Sequence, residues 1–110
     1  LAGGNFLTTS VISELLFVMS KHHEFDAFES SLPILGEDGT LHYRMKQSPL
    51  RGQLFAKTGY VGGARSLSGY LNSQSGEKVI FSLSANNFVG KVSRIDAVHE
   101  QILTYLYYHY

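Results

Sequence analysis

The chain has 110 residues, and nine basic side chains balance nine acidic ones. This neutral charge gives no support for binding to nucleic acid or to an anionic membrane. The sequence lacks cysteine, which excludes disulfides and thiolate metal sites, and no run approaches the roughly 18 apolar residues of a membrane span.

Two helices are predicted near the start of the chain. Helical spacing of apolar residues predicts a helix from about Thr9 to Lys21, with Thr8 as its N-cap. A shorter helix is expected over Glu24–Ser30, and Pro33 would stop it. The first helix should pack on the core through a wide apolar stripe of Val11, Ile12, Leu15, Leu16, Val18 and Met19.

The middle of the chain changes to turns and strands. Glu37–Thr40 is a predicted turn, Leu41–Arg44 is predicted to be extended, and Gln47–Gly52 is a polar connection.

Three strands are then predicted, over Gln53–Gly59, Arg65–Asn72 and Lys78–Ala85, with a turn at Ser73–Gly76 between the last two. The third strand should place three apolar side chains on one face: Val79, Phe81 and Leu83. Both connections are short, which favours antiparallel pairing.

A helix is predicted to close the chain. Ser93 and Asp96 have a spacing close to that of a capping box. The face expected against the sheet consists of Ile95, Val98, Ile102 and Leu106. His99 is predicted to lie on the surface, and the tyrosines at 105, 107, 108 and 110 to cover the helix end. These elements predict an α/β fold of the α+β type, an antiparallel sheet flanked by helices.

The tripeptide Lys57-Thr58-Gly59, on the first predicted strand, combines a positive charge, a hydroxyl group and a residue without a side chain. A lysine charge and a threonine hydroxyl provide charge-assisted hydrogen bonds worth about 1.5–3 kcal/mol each. Glycine lets a peptide backbone approach closely, and a strand edge can bind a peptide as an added strand. The tripeptide alone is weak evidence, because a solvated lysine–threonine pair beside a turn glycine gives the same letters.

Further segments occur in a specific order along the chain. They are Asn5-Phe6-Leu7-Thr8, Ser31-Leu32-Pro33, Asp38-Gly39-Thr40-Leu41, Ala56-Lys57-Thr58-Gly59, Leu67-Ser68-Gly69-Tyr70 and Ile95-Asp96. With Lys-Thr-Gly, this order resembles the serine-type D-alanyl-D-alanine carboxypeptidase/endopeptidases, the class C penicillin-binding proteins of low molecular mass. The resemblance implies that residues 1–110 form the C-terminal part of a transpeptidase domain like those of penicillin-binding proteins and β-lactamases.

The resemblance also implies a function. The parent enzyme would hydrolyse peptidoglycan stem peptides ending in D-Ala-D-Ala through an acyl-serine intermediate, with β-lactams as suicide substrates. It would need no metal or organic cofactor and would lie outside the cytoplasm, in a periplasm. Lys57, Thr58 and Gly59 would bind substrate. Thr58 would meet the carboxylate, while Lys57, also a catalytic residue, would bond across the cleft to a serine motif. Relatives commonly carry threonine at position 60, so Tyr60 is a departure that could narrow the pocket.

The nucleophile of this family is a serine in Ser-x-x-Lys on a helix, accompanied by a Ser-x-Asn loop. Ser75–Lys78 and Ser84–Asn86 match these patterns literally, but both follow Lys-Thr-Gly, whereas the family places them before it. Ser75–Lys78 also lies in a predicted turn, where the two side chains would not stack as on a helix. The functional motifs are therefore expected upstream of Leu1, and the isolated chain is expected to be catalytically inactive.

Other interpretations remain open. The chain could be a non-catalytic homologue or fragment that binds peptidoglycan peptides or packs on a partner, and the upstream sequence would discriminate. The glycines at 59, 62 and 63 do not fit a phosphate loop, because they join two strands. His22 and His23 would diverge on a helix and form a poor metal pair. An apolar sheet face and an unpaired edge would make the chain oligomeric or marginally stable.

Overall fold

The computed structural model describes residues 8–34, 48–61, 63–86 and 90–110. Within these ranges the chain forms helices and an antiparallel sheet: α1 Thr9–Ser20, α2 Phe25–Ser30, β1 Leu54–Val61, β2 Ala64–Asn72, β3 Lys78–Ala85 and α3 Val92–His109. The predicted turn at Glu37–Thr40, the extended Leu41–Arg44 and the resemblance segments at Asn5–Leu7 and Asp38–Leu41 lie outside the described residues.

Helix α1 begins as the sequence predicts. The Thr8 hydroxyl accepts a hydrogen bond from the backbone N–H of Val11 at 3.2 Å, which satisfies one of the amides that a helix start leaves open. The helix ends at Ser20, one residue before the predicted end. Only part of its predicted apolar stripe packs on the core. Leu16 is buried, whereas Val11, Leu15 and Val18 are about half exposed.

Helix α2 packs on the sheet through aromatic contacts. The rings of Phe25 and Phe28 stand edge-on to the ring of Tyr70, with centroids 5.0 and 6.3 Å away. The helix ends at Ser30, which confirms the expectation that it stops before Pro33.

The sheet has the strand order β1-β2-β3 among the described residues, and both pairings are antiparallel. Val61 pairs with Ala64 across a short β1–β2 connection, where Gly63 adopts a φ of +83° that favours glycine. The β2–β3 turn is fixed by the Ser73 hydroxyl, which accepts from the Glu77 N–H at 3.1 Å. The two short connections confirm the antiparallel prediction, and Gly63 lies in the first of them.

Helices pack against both faces of the sheet. On one face, Leu103 of α3 packs against sheet residues that include Leu54, Leu67 and Phe81. Val79 and Leu83 also contact this core, so the predicted inner face of β3 is confirmed. On the other face, the Tyr70 hydroxyl donates to the carbonyl of Leu16 in α1 at 2.7 Å. The fold is therefore α+β, with an antiparallel sheet between helices.

Gly69 allows β1 and β2 to lie close together. A Cβ at position 69 would lie 2.1 Å from the Phe55 carbonyl oxygen and 2.7 Å from the Ala56 Cα. Since both atoms belong to backbone, the overlap would require β1 to move. Glycine is thus a packing requirement beside the Lys-Thr-Gly strand.

Helix α3 differs from its prediction at the start. It begins at Val92 with Lys91 as N-cap and has no side-chain capping bond, so the capping box of Ser93 and Asp96 is wrong. The Asp96 carboxylate instead accepts hydrogen bonds from Arg65 in β2.

The side of α3 that carries Asp96 is the buried side. His99 and Leu103 follow Asp96 at helical spacing and are buried, so the surface prediction for His99 is wrong; its residual exposure is 4%. Val98 and Ile102 are exposed instead of facing the sheet. Leu106 and Tyr107 pack on the core, while the other three tyrosines of the helix end are exposed: Tyr105, Tyr108 and Tyr110.

The exposed apolar surface also lies elsewhere than expected. We expected it on an uncovered face of the sheet, but α1 and α2 cover one face and α3 covers the other. Large apolar side chains are exposed on the outer sides of the helices instead, at Val11, Leu15, Phe17 and Val18 in α1 and at Val98, Ile102, Tyr105 and Tyr108 in α3.

Candidate substrate-binding site

Lys57, Thr58 and Gly59 lie within β1, an edge strand of the sheet that the described residues form. Side chains alternate along a strand, so Thr58 shares a face with the buried Ala56 and Lys57 lies on the opposite face. Lys57 is exposed, and its Nζ donates to the Thr58 carbonyl at 3.0 Å. Thr58 has a residual exposure of 9%. The lysine is therefore accessible and the threonine is held by its surroundings.

Hydroxyl groups surround the Lys57 face of the sheet. Gly59 pairs with Ser66, and a Cβ at position 59 would lie 2.7 Å from the Ser66 Oγ. Lys57 pairs with Ser68, whose hydroxyl is hydrogen-bonded to that of Ser82 at 2.9 Å. Glycine at position 59 thus makes room for the Ser66 hydroxyl. Around Lys57 this face of the sheet is polar, whereas around Tyr70 the same face is aromatic.

Tyr60 and Arg65 stand opposite each other at the end of the hairpin. Tyr60 is 55% exposed, so it is accessible beside the Lys-Thr-Gly segment. The Arg65 guanidinium is committed to Asp96, with Nε–Oδ1 and Nη2–Oδ2 distances of 2.8 and 3.1 Å. The positive charge of Arg65 is therefore largely neutralised by the Asp96 carboxylate of α3. No local pattern in the sequence predicts this pair, although Asp96 belongs to a resemblance segment.

A segment after α2 covers part of the outer edge of β1. Ile34 forms an antiparallel bridge with Phe55, and the Pro33 carbonyl accepts from the Ala56 N–H at 3.0 Å. The sequence predicts Pro33 as a helix stop, and Pro33 also belongs to one of the resemblance segments. Its pairing with β1 is a long-range contact that no local pattern predicts.

The described residues include both segments that match the nucleophile motifs literally, Ser75–Lys78 and Ser84–Asn86. The Ser75 hydroxyl lies in the β2–β3 turn and donates to the carbonyl of Tyr110 at 2.7 Å. Lys78 begins β3 and forms an ion pair with Glu29, and its Nζ also donates to the Asn72 Oδ1 at 3.1 Å. Ser84 lies near the end of β3. The prediction that Ser75 is a turn residue is confirmed.

One further cleft lies among the described residues, apart from the Lys-Thr-Gly segment. A cleft of about 240 Å³ lies between α1, α2 and β3, away from Lys57, and is lined by Phe17, Ser20, Lys21, Phe25, Lys78 and Ile80. No cluster of three or more metal-ligating side chains occurs in the part of the chain that the structure describes. His22 and His23 lie in the α1–α2 turn instead of on a helix, with their rings stacked 4.3 Å apart. None of the described helices has the length and apolarity needed to cross a membrane.

Comparison with known proteins shows the family of the chain. Residues 1–104 match the D-Ala-D-Ala carboxypeptidase 3 (S13) family. The chain belongs to this family, and the sequence-based resemblance is confirmed.

Individual relatives give the same result. The D-alanyl-D-alanine carboxypeptidase of Actinomadura sp. (strain R39) is 34% identical over 95 residues, which are 82% of this chain and 18% of that protein. The crystal structure of penicillin binding protein 4 from Haemophilus influenzae is 25% identical, with a TM-score of 0.79 over 96% of this chain and 25% of that one. The same protein complexed with a β-lactam is 26% identical, with a TM-score of 0.84 over 99% of this chain and 27% of that one. The chain thus spans about a quarter or less of these relatives.

Proposed function

We propose that this chain is the carboxylate-binding part of a serine-type D-Ala-D-Ala carboxypeptidase that acts on peptidoglycan stem peptides. The observation that carries the proposal is the position of Lys57, Thr58 and Gly59 on an edge strand, in a chain of the D-Ala-D-Ala carboxypeptidase family. Because the substrate is cell-wall peptide, the protein would work outside the cytoplasm, in a periplasm.

The arrangement suits a terminal carboxylate. Lys57 provides positive charge and Thr58 a hydroxyl donor, and bonds from such groups to an ionised carboxylate are stronger than those between neutral partners. Thr58 is nearly buried, so little freedom is lost when it binds. Gly59 carries no side chain on the Lys57 face, which leaves room for a peptide backbone.

The catalytic serine would come from another part of a longer protein. Its hydroxyl would attack the carbonyl between the two D-alanines, the terminal D-alanine would leave, and water would release the acyl group. Lys57 would act as a catalytic residue by bonding across the cleft to the serine of a Ser-x-Asn loop. A β-lactam would acylate the same serine, in line with the β-lactam complex of penicillin binding protein 4.

Labelling with a fluorescent penicillin tests the division of roles. The isolated chain should form no covalent adduct, whereas the longer protein should be labelled stoichiometrically. In the longer protein, Lys57→Ala should slow acylation by about 10²–10³, the range seen when one stabilising donor is removed from an active site. Lys91→Ala, at an exposed lysine before α3, is the matched control and should acylate normally. Stoichiometric labelling of the isolated chain would place the nucleophile within these residues and contradict the proposal.

A further inference from the structure

The segment that joins α2 to β1 occupies one part of the β1 outer edge. Successive residues of a strand direct their backbone groups alternately to its two sides. The Gln53 carbonyl accepts from Asn72 in β2, whereas the Ala56 N–H donates to the Pro33 carbonyl on the outer side. With the Ile34–Phe55 bridge, the Pro33–Ile34 segment fills the outer edge immediately before Lys57 and Thr58.

Helix α2 anchors this segment firmly. Glu29, in the last turn of α2, forms an ion pair with Lys78 in β3, and Phe25 and Phe28 stand against Tyr70 in β2. The Leu32 N–H donates to the Glu29 carbonyl at 3.1 Å, which ties the segment to the helix end. These contacts hold the helix that precedes the segment against the sheet at separate points, and the segment follows the helix directly.

A filled edge at Phe55 and Ala56 limits how a peptide can bind beside Thr58. A parallel peptide with its carboxylate at Thr58 would have to place its preceding residues next to Ala56 and Phe55, where Pro33 and Ile34 already lie. An antiparallel peptide would instead run back toward Tyr60. In that direction, any group attached beyond the carboxyl carbon would extend toward Ala56 and collide with Pro33.

We propose that the Pro33–Ile34 segment is a specificity-determining stop that restricts binding to peptides ending at the residue held by Thr58. The inference rests on the proposed function and deepens it, because it assigns the steric part of the selectivity to a segment outside the Lys-Thr-Gly strand. Charge selection by Lys57 and Thr58 and steric selection by Pro33–Ile34 are two separate filters, so they can be separated experimentally.

Three peptides ending in D-Ala-D-Ala separate the two filters: the free carboxylate, the primary amide and the tert-butylamide. The primary amide removes the negative charge of the carboxylate and adds almost no bulk. The tert-butylamide adds bulk but no further peptide unit that could form strand hydrogen bonds of its own. Binding constants come from NMR titration of the 110-residue chain. We expect the primary amide to bind more weakly than the carboxylate, and the tert-butylamide to bind at least about tenfold more weakly than the primary amide.

Variants assign the steric filter to this segment. Pro33→Gly combined with Ile34→Gly should reduce the gap between the two amides to less than about threefold and leave the preference for carboxylate over primary amide unchanged. Glu29→Gln, which loosens the anchor without changing the segment, should narrow the same gap. Glu14→Gln, at an exposed position on α1, should not.

The outcomes distinguish the two ideas. Equal affinities of the two amides for the unmodified chain would overturn the stop and leave the proposed function intact. An unchanged difference between the two affinities in a folded double-glycine variant would have the same meaning. If the double-glycine variant does not fold, the stop is tested by comparing the affinity difference between the two amides in Glu29→Gln with that in the unmodified chain. No preference for the carboxylate, or no binding of any peptide, would contradict the proposed function and the stop with it.

Discussion

Arg65 in β2 and Asp96 in α3 form a two-point ion pair that joins the end of the β1–β2 hairpin to the first turns of the last helix. Both side chains are mostly buried, at 16% and 19% exposure. The pair joins the side of α3 that carries the buried His99 and Leu103 to β2, the strand that pairs with Lys57 and Thr58 of β1. It therefore connects the packing of the fold with the position of the candidate site.

Breaking this pair should destabilise the chain. Arg65→Gln leaves the Asp96 carboxylate mostly buried without its bidentate partner, and we expect a loss of about 1–3 kcal/mol in the free energy of unfolding. Urea denaturation measures it. Arg94→Gln removes an exposed arginine from the same helix and should change stability by less than about 0.5 kcal/mol. Equal effects of the two substitutions would show that the ion pair contributes nothing specific.

Gly69→Ala tests the close approach of β1 and β2. The added methyl would overlap the Phe55 carbonyl oxygen and the Ala56 Cα, so β1 must shift, and we expect a loss of about 3 kcal/mol or more. Gly76→Ala is the comparison, because its methyl meets no atom within 4 Å and the cost is confined to a positive φ, roughly 1 kcal/mol. Thermal unfolding that ranks the two variants in the opposite order would contradict the packing account.

The Tyr70 phenol should make stability depend on alkaline pH. Burial raises its pKa to about 12, from an ordinary value of 10.0, and the nearby Glu29 carboxylate adds to the shift. The unfolded chain loses this proton first, so the stabilisation is complete below about pH 10 and is lost as the pH rises toward 12. Denaturation at a series of pH values should show the advantage over Tyr70→Phe shrinking in that window. A constant difference between the two proteins would exclude this role for the phenol.

The exposed apolar side of α1 should cause the isolated chain to self-associate. Val11, Leu15 and Val18 form a stripe at helical spacing and are about half exposed, which favours association through that helix. Sedimentation velocity should show dimers or larger species that diminish in Leu15→Glu. The same charge introduced by Gln74→Glu, in the exposed β2–β3 turn, should leave association unchanged. A compact monomer at high concentration would contradict this expectation.

The sequence predicts much of this fold because the relevant signals are local. The alternation of Val79, Phe81 and Leu83 sets the strand and its inner face, and the Thr8 hydroxyl sets the start of α1. The Lys-Thr-Gly segment lies on a strand as expected, although the roles of its residues remain predictions.

Long-range contacts account for the errors and omissions. The face of α3 depends on an ion pair between residues 31 positions apart, and helical periodicity alone could not choose between the Val98 and His99 sides. The Pro33 contact with Ala56 likewise depends on how α2 docks on Tyr70 and Lys78. Neither partner is specified by spacing along the chain.

The most direct test of the account is whether Lys57 and Thr58 recognise a terminal carboxylate. A D-Ala-D-Ala peptide titrated into the isotope-labelled chain should shift the amide signals of Thr58 and Gly59, and Lys57→Gln should weaken its binding by about tenfold, whereas Lys91→Gln should not. Thr58→Val should weaken it as well, and Thr58→Ser should retain it. Binding that ignores the Lys57 and Thr58 substitutions, or signal changes confined to the cleft at Phe17 and Lys21, would contradict the account.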